Sequence, residues 1–214
     1  MAEPLALARS ELILGGQKSG KSRRAESLAC AWLAQSPSHR AVYIATAQAW
    51  DDEMAERIRR HRQDRAARVP AMATVEEPLQ LAQAMQTHGR ADTLLVIDCL
   101  TLWLTNALMP AAGRTGPSGQ VDCHDPEFKK KSPETVGTYE NIAIVSEAIR
   151  NAPGPVVLVG NEIGLGVIPL GPEVRAFVDA LGRLNQGMAQ ACDRVTLMVA
   201  GLPVSVKDVP GDAA

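Results

Sequence analysis

The sequence predicts an α/β fold with a doubly wound, mostly parallel sheet and an antiparallel strand at its C-terminal edge. Two observations carry this. Short apolar runs alternate with longer amphipathic ones along the 214 residues, the pattern of βαβ units joined by right-handed crossovers. The runs Leu94-Leu95-Val96-Ile97 and Val156-Val157-Leu158-Val159 are apolar without alternation, as in strands buried on both faces of a parallel sheet.

The elements follow in order. Strands are expected at Leu12–Leu14, Ala41–Ala45, Ala73–Val75, Thr93–Ile97, Pro155–Val159 and Val195–Val199. Helices are expected at Lys21–Ala34, Asp52–Ala66, Leu79–Thr87, Thr101–Met109, Gly137–Asn151 and Pro172–Cys192. Gly201-Leu202-Pro203 reads as a turn, which makes Val204–Lys207 the antiparallel edge strand. Residues 11–207 then form one domain, between an N-terminal extension (1–10) and a C-terminal tail (208–214). Pro110 to Val136, rich in Gly, Pro, Ser and charge, reads as a lid or a disordered insertion.

Composition narrows the function classes. Hydrophobic residues make up 46% of the chain and aromatics only 3%, so the core is aliphatic and a base-stacking platform for single strands is excluded. The net charge of −2 argues against a nucleic-acid partner. Cys30, Cys99, Cys123 and Cys192 are scattered, with no zinc-ligand spacing and no disulfide framework. No apolar run is long enough for a membrane span, and Met1 to Ser10 lacks the pattern of a secretory signal, so the expected location is cytoplasmic. One feature stands against the balanced charge: six arginines lie between positions 57 and 68.

Between the first strand and first helix, Gly15-Gly16-Gln17-Lys18-Ser19-Gly20-Lys21-Ser22 satisfies G-x-x-x-x-G-K-[ST]. The glycines let successive backbone N–H groups point at phosphate oxygens, Lys21 neutralises the β/γ charge, and the Ser22 hydroxyl is a Mg²⁺ ligand. A nucleoside triphosphate is therefore the expected ligand, on a P-loop NTPase fold. Asp98, ending the strand that starts at Thr93, is placed to support the same metal at the carboxyl end of the sheet. Its alternative role is N-cap of the next helix.

The segment Asp52–Ala66 begins acidic and ends basic, matching the helix dipole, with Glu53/Arg57 and Glu56/Arg60 at i,i+4 spacing. Met54, Ile58 and His61 share one face, and Arg57, Arg62 and Arg65 can surround the histidine. Three readings fit that spacing: a buried structural histidine, a basic face for RNA, or a nucleophile for an α-phosphorus with arginines holding the triphosphate.

The motifs together resemble a known family, the bifunctional adenosylcobinamide kinase / adenosylcobinamide-phosphate guanylyltransferases of cobalamin biosynthesis. The resemblance rests on LGGQKSGKSRRAE at Leu14–Glu26, YIATAQAWDDEMAERIRRHRQDR at Tyr43–Arg65, DCLTLWLTN at Asp98–Asn106, VGNEIGLGVIP at Val159–Pro169 and LGRLNQ at Leu181–Gln186. It implies a fold related to recombinase-type ATPases, a homotrimer, and two consecutive reactions using ATP and GTP with Mg²⁺. Adenosylcobinamide is phosphorylated first. GMP then passes from GTP through a histidine to the corrinoid phosphate, giving adenosyl-GDP-cobinamide and pyrophosphate.

By position, the resemblance makes His61 the nucleophile. It puts nucleotide contacts at Gly15 to Ser22, at Thr46, Ala47 and Gln48, at Arg62, Gln63, Asp64 and Arg65, and at Glu76. Asp98 stands where the family commonly has Glu, so a closer approach or a bridging water is needed at the metal. Asn161-Glu162, before Gly164 and Gly166, is either a site carboxylate or a polar strand end. Arg183, Asn185 and Gln186 are an exposed helix face, a subunit contact or part of the site. Two other functions stay open from the residues alone: a P-loop small-molecule kinase without guanylyl transfer, and a nucleotide-switched regulatory module. The chain has no N-K-x-D guanine-reading motif.

Overall fold

The structure, a computed structural model, describes residues 6–108 and 138–209. The expected insertion at 110–136, Cys123, the ends of the helices that meet the insertion, and most of both termini lie outside the described residues. Within them the strands are β1 (Ser10–Gly15), β2 (Arg40–Ala45), β3 (Met72–Glu76), β4 (Thr93–Asp98), β5 (Val156–Val159), β6 (Arg194–Val199) and β7 (Leu202–Asp208). The helices are α1 (Lys21–Gln35), α2 (Asp52–Arg68), α3 (Leu81–His88), α4 (Leu100–Leu108), α5 (Thr138–Arg150) and α6 (Pro172–Ala191).

All seven strands join one sheet in the order β3-β2-β4-β5-β1-β6-β7, parallel except for the β6–β7 pair. The period-two geometry of a strand sends successive side chains to opposite faces, and the core divides accordingly. Leu12, Ile44, Leu95, Ile97, Val156 and Leu158 pack with α3 to α6, whereas Ile13, Tyr43, Leu94, Val96, Val157 and Val159 pack with α1. Burial on both faces is what the unalternated apolar runs anticipated.

Two boundaries differ from expectation for identifiable reasons. α3 starts at Leu81, not Leu79, because the Glu77 carboxylate accepts the backbone N–H groups of Leu79 (2.9 Å) and Gln80 (2.7 Å), holding them in a turn. β7 starts at Leu202, because Ala200 and Gly201, both with positive φ, close a two-residue hairpin that pairs Val199 with Leu202. The weakly signalled β3 is a real strand at the sheet edge, with Ala73 and Thr74 exposed.

α2 differs from the other helices. Only Arg65 is buried along its 17 residues, while Met54 and Ile58 are half-buried. Its N-terminus is capped by Asp51, whose carboxylate accepts the Met54 N–H at 2.7 Å. Its C-terminal end is tied to α1 through Arg68 and Glu26, 2.8 Å apart.

Candidate active site

The phosphate loop follows β1 and ends in α1. Gly15 has φ +151°, and a Cβ there would lie 2.6 Å from both the Met198 carbonyl and Ser19 Oγ, so no other residue fits. Lys18 and Gly20 are also at positive φ, an alternation that turns backbone N–H groups into an anion-binding nest. Neighbouring segments brace the loop: Gly201 N–H donates to Ser19 O at 3.1 Å, and Glu162 N–H donates to Gly15 O at 3.1 Å. Ser19 Oγ is buried with no partner among the described residues, an unfilled polar position inside the loop.

Lys21 curls back so that its ammonium donates to Gly16 O at 2.6 Å. Burial lowers its pKa from the ordinary lysine value; Asp98 opposes that shift and the nearby Arg57 adds to it.

Asp98 ends β4, with β5 lying between it and β1 in the sheet. Its Oδ2 accepts the Ser22 hydroxyl at 2.7 Å and the Tyr43 hydroxyl at 2.8 Å. The carboxylate thus faces the loop and does not cap α4. Asp98 reaches the Ser22 hydroxyl directly, with no residue between them. Oδ1 has no hydrogen-bond partner among the described residues, and no cluster of three His, Cys, Asp or Glu occurs among them. One hydroxyl and one carboxylate, completed by phosphate oxygens and water, are a donor set suited to Mg²⁺ rather than to zinc.

The histidine helix is arranged differently from its helical-wheel reading. His61 is exposed, so it is no buried core histidine, and it follows Arg57 by one turn. Arg65, one turn further, is buried, with its guanidinium carbon 3.8 Å from the Tyr43 ring centroid and Nη2 donating to Thr74 Oγ1 at 3.2 Å. The remaining arginines are mostly committed to carboxylates. Arg59 pairs with Glu56 at i,i+3, where i,i+4 pairing with Arg60 was expected. Arg62 pairs with Glu76, and Arg68 with Glu26 and Asp64. A clamp of six free arginines is not what forms: Arg59, Arg62, Arg65 and Arg68 are held by partners on α1, α2, β2 and β3.

Arg62, Arg65, Thr74 and Glu76 line a cavity of about 310 Å³ between α2 and β3. Gln63 and Asp64 are exposed on the same helix. Beyond β2, Ala47 and Gln48 are half-buried, but Thr46 is fully buried and occupied. Its Oγ1 donates to Cys99 O at 2.8 Å and accepts the Cys99 N–H at 2.9 Å, while Asn106 holds its carbonyl at 2.7 Å. The Thr46 side chain therefore organises the loop after Asp98.

Glu162 is a brace as well as a carboxylate near the loop: Oε1 accepts the Gly164 N–H at 2.7 Å, and Oε2 faces Asn185 Nδ2 at 3.4 Å. Asn185 is buried, which removes it from any exposed face, whereas Gln186 is exposed. Cys99 is no rival nucleophile, because burial pushes its thiol up to about 12. Tyr43 was overlooked as a site residue by sequence reasoning. Its signal was a hydroxyl-bearing ring in an otherwise aliphatic buried strand, two residues before the strand end.

A phosphate loop, a hydroxyl–carboxylate pair and a parallel sheet with both at its carboxyl end define a P-loop nucleotide-dependent transferase. Within that class the chain belongs to the cobinamide kinase / cobinamide phosphate guanyltransferase family (CobU), whose family model matches residues 11–206. It is 45% identical over 202 residues to the bifunctional adenosylcobalamin biosynthesis protein CobP of Pseudomonas aeruginosa, covering 94% of this chain and 98% of that relative. It is 35% identical over 196 residues to the bifunctional adenosylcobalamin biosynthesis proteins CobU of Salmonella typhimurium and of Escherichia coli, with 92% of this chain and 98% of each relative covered.

Proposed function

We propose that this enzyme phosphorylates adenosylcobinamide with ATP or GTP and then guanylylates the product through His61. What supports the residue assignment is the run of contacts from α2 to the phosphate loop: Arg65, one turn beyond the exposed His61, lies on the Tyr43 ring, and Tyr43 and Ser22 both donate to Asp98. A mere kinase or a regulatory switch has no need of a solvent-accessible histidine on that helix.

In the kinase step the corrinoid's hydroxyl oxygen attacks the γ-phosphorus, the bond to the bridging oxygen breaks, the nucleoside diphosphate leaves, and the hydroxyl proton is lost to solvent. The nest of residues 15–22 and Lys21 hold the phosphates in line, so the enzyme's main contribution is positioning and charge neutralisation. Ser22 and Asp98 would hold Mg²⁺, which supplies further neutralisation of phosphate charge when bound.

In the second reaction a neutral His61 ring nitrogen attacks the α-phosphorus of GTP. A P–N bond forms, the α–β bridging P–O bond breaks, pyrophosphate leaves, and the imidazole proton is lost to solvent. Arg57 and Lys21 oppose the charge that develops on the departing pyrophosphate. An oxygen of the corrinoid phosphate then attacks the phosphorus, the P–N bond breaks as the imidazole takes a proton back from solvent, and adenosyl-GDP-cobinamide is released. Glu76, in the cavity beside α2, is a fitting acceptor for the N1–H and N2–H groups of guanine, with Arg62 holding it. Ala47, Gln48, Gln63 and Asp64 complete the nucleotide's surroundings.

The described residues contain no helix long and apolar enough to cross a membrane. We take the enzyme to work in the cytoplasm as a homotrimer on a small corrinoid, without nucleic acid. Incubation with adenosylcobinamide and γ-labelled ATP, followed by addition of GTP, tests the reading. A labelled corrinoid phosphate that converts to a GDP-corrinoid supports it; labelled corrinoid phosphate with no conversion leaves only the kinase, and no labelling refutes both.

A further inference from the structure

Tyr43 makes two contacts that lead in different directions. Its side chain packs on the α1 face of the sheet together with Ala41, Val96 and Met72, and it is 7% exposed. At its tip, the hydroxyl donates to Asp98 Oδ2, the oxygen that also accepts from Ser22. On its ring lies the Arg65 guanidinium, held from the other side by Thr74 on β3.

Those partners belong to the two halves of the site. Asp98 sits at the phosphate loop that both reactions use. Arg65 is one turn beyond His61 and is the sole buried residue of α2 among those described, so it is the point at which this exposed helix registers on the sheet. A kinase step needs only the first half. Guanylyl transfer also needs the imidazole nitrogen close to the α-phosphorus and in line, and a misplacement of about 1 Å costs on the order of 10²-fold.

We propose that Tyr43 is a positioning residue for guanylyl transfer: through its hydroxyl and its ring face it fixes the loop carboxylate and the nucleophile's helix relative to one another. It touches no substrate. The inference rests on His61 being the nucleophile, and its test separates the two ideas.

Y43F keeps the ring under Arg65 and removes only the bond to Asp98; Y43L removes both contacts. R65M removes the stacking from the helix side without altering β2, and stands in if Y43L does not fold. The first readout is amide hydrogen exchange of residues 54–65 in the nucleotide-free protein, which involves no catalysis. The second is the ratio of His61 guanylylation rate to kinase rate. Y43L and R65M are expected to raise α2 exchange at least several-fold and to lower the ratio by roughly 10- to 100-fold. Y43F should leave α2 exchange at the wild-type level, because the ring still carries Arg65, but should lower the ratio by roughly 3- to 10-fold, because the helix is no longer tied to the loop carboxylate. Wild-type exchange in Y43L and R65M would overturn the proposal, and so would faster exchange with an unchanged ratio. A wild-type enzyme that forms no His61 adduct refutes the nucleophile assignment instead, and the exchange readout still reports whether Tyr43 holds α2.

Discussion

The Ser22 hydroxyl donates to Asp98 Oδ2 at 2.7 Å, linking the first turn of α1 to the end of β4 across the intervening β5. The contact brings together the two groups that would hold Mg²⁺ in the proposed site. Replacement of Asp98 by Asn keeps the size and the acceptor oxygen but removes the charge. D98N should lower both the kinase and guanylyl-transfer rates by about 10²–10³-fold, a few kcal/mol of transition-state stabilisation. D98E, with the charge kept, should lose far less. Steady-state rates across a Mg²⁺ titration decide it, and equal rates for D98N and wild type would remove Asp98 from the site.

Lys21 is held in a buried position that disfavours its charge until a polyanion arrives. K21A should therefore fold normally in the absence of nucleotide yet gain nothing from it. At a hundredfold excess over Kd, nucleotide stabilises the wild type by about 2.7 kcal/mol, or roughly 5–10 °C in Tm for a domain of this size. Thermal melts with and without GTP should show that increment in the wild type and its absence in K21A.

Thr46 gives the opposite pattern. T46V leaves the buried Cys99 N–H and carbonyl without the side-chain partner they have now. The cost should be about 2–4 kcal/mol of stability, visible as a lower denaturant midpoint. Folded T46V should bind nucleotide with a KM within a few-fold of the wild type, since the hydroxyl is directed at Cys99. A large rise in KM without loss of stability would make Thr46 a nucleotide contact.

Alkaline stability follows from Cys192, whose thiol burial pushes up to about 12 from an ordinary 9.0. Between those values the folded chain keeps a proton that the unfolded chain has released. The thiol's contribution is thus complete below about pH 9 and is lost as pH rises towards 12, by about 1.4 kcal/mol per pH unit. C192A should lower stability at neutral pH through lost packing but show a shallower decline between pH 9 and 11. Urea unfolding at a series of pH values measures both, and an unchanged slope in C192A would count against the buried-thiol account.

Much of the fold was legible because parallel strands announce themselves. The uninterrupted apolar runs in β4 and β5 fixed the centre of the sheet, and the phosphate loop marked the end of β1. The boundaries that moved were decided by contacts no periodicity reveals, such as Glu77 holding two N–H groups ahead of α3. In the site, the loop and Asp98 could be read from motif and strand end. The arginines could not be sorted, because helical spacing gives the face of Arg62 and Arg68 but not the carboxylates of Glu76 and Glu26 that engage them from other elements. Tyr43 escaped notice since its partners lie 22 and 55 positions away in the chain.

The central claim is that His61 carries GMP. Wild-type protein incubated with Mg²⁺ and α-labelled GTP should acquire one covalent label that is lost in acid and stable in base, as a phosphoramidate is. The label should map to His61 and be absent from H61A, while H61A still phosphorylates adenosylcobinamide. Label retained in H61A, or no covalent label on the wild type, would contradict the account.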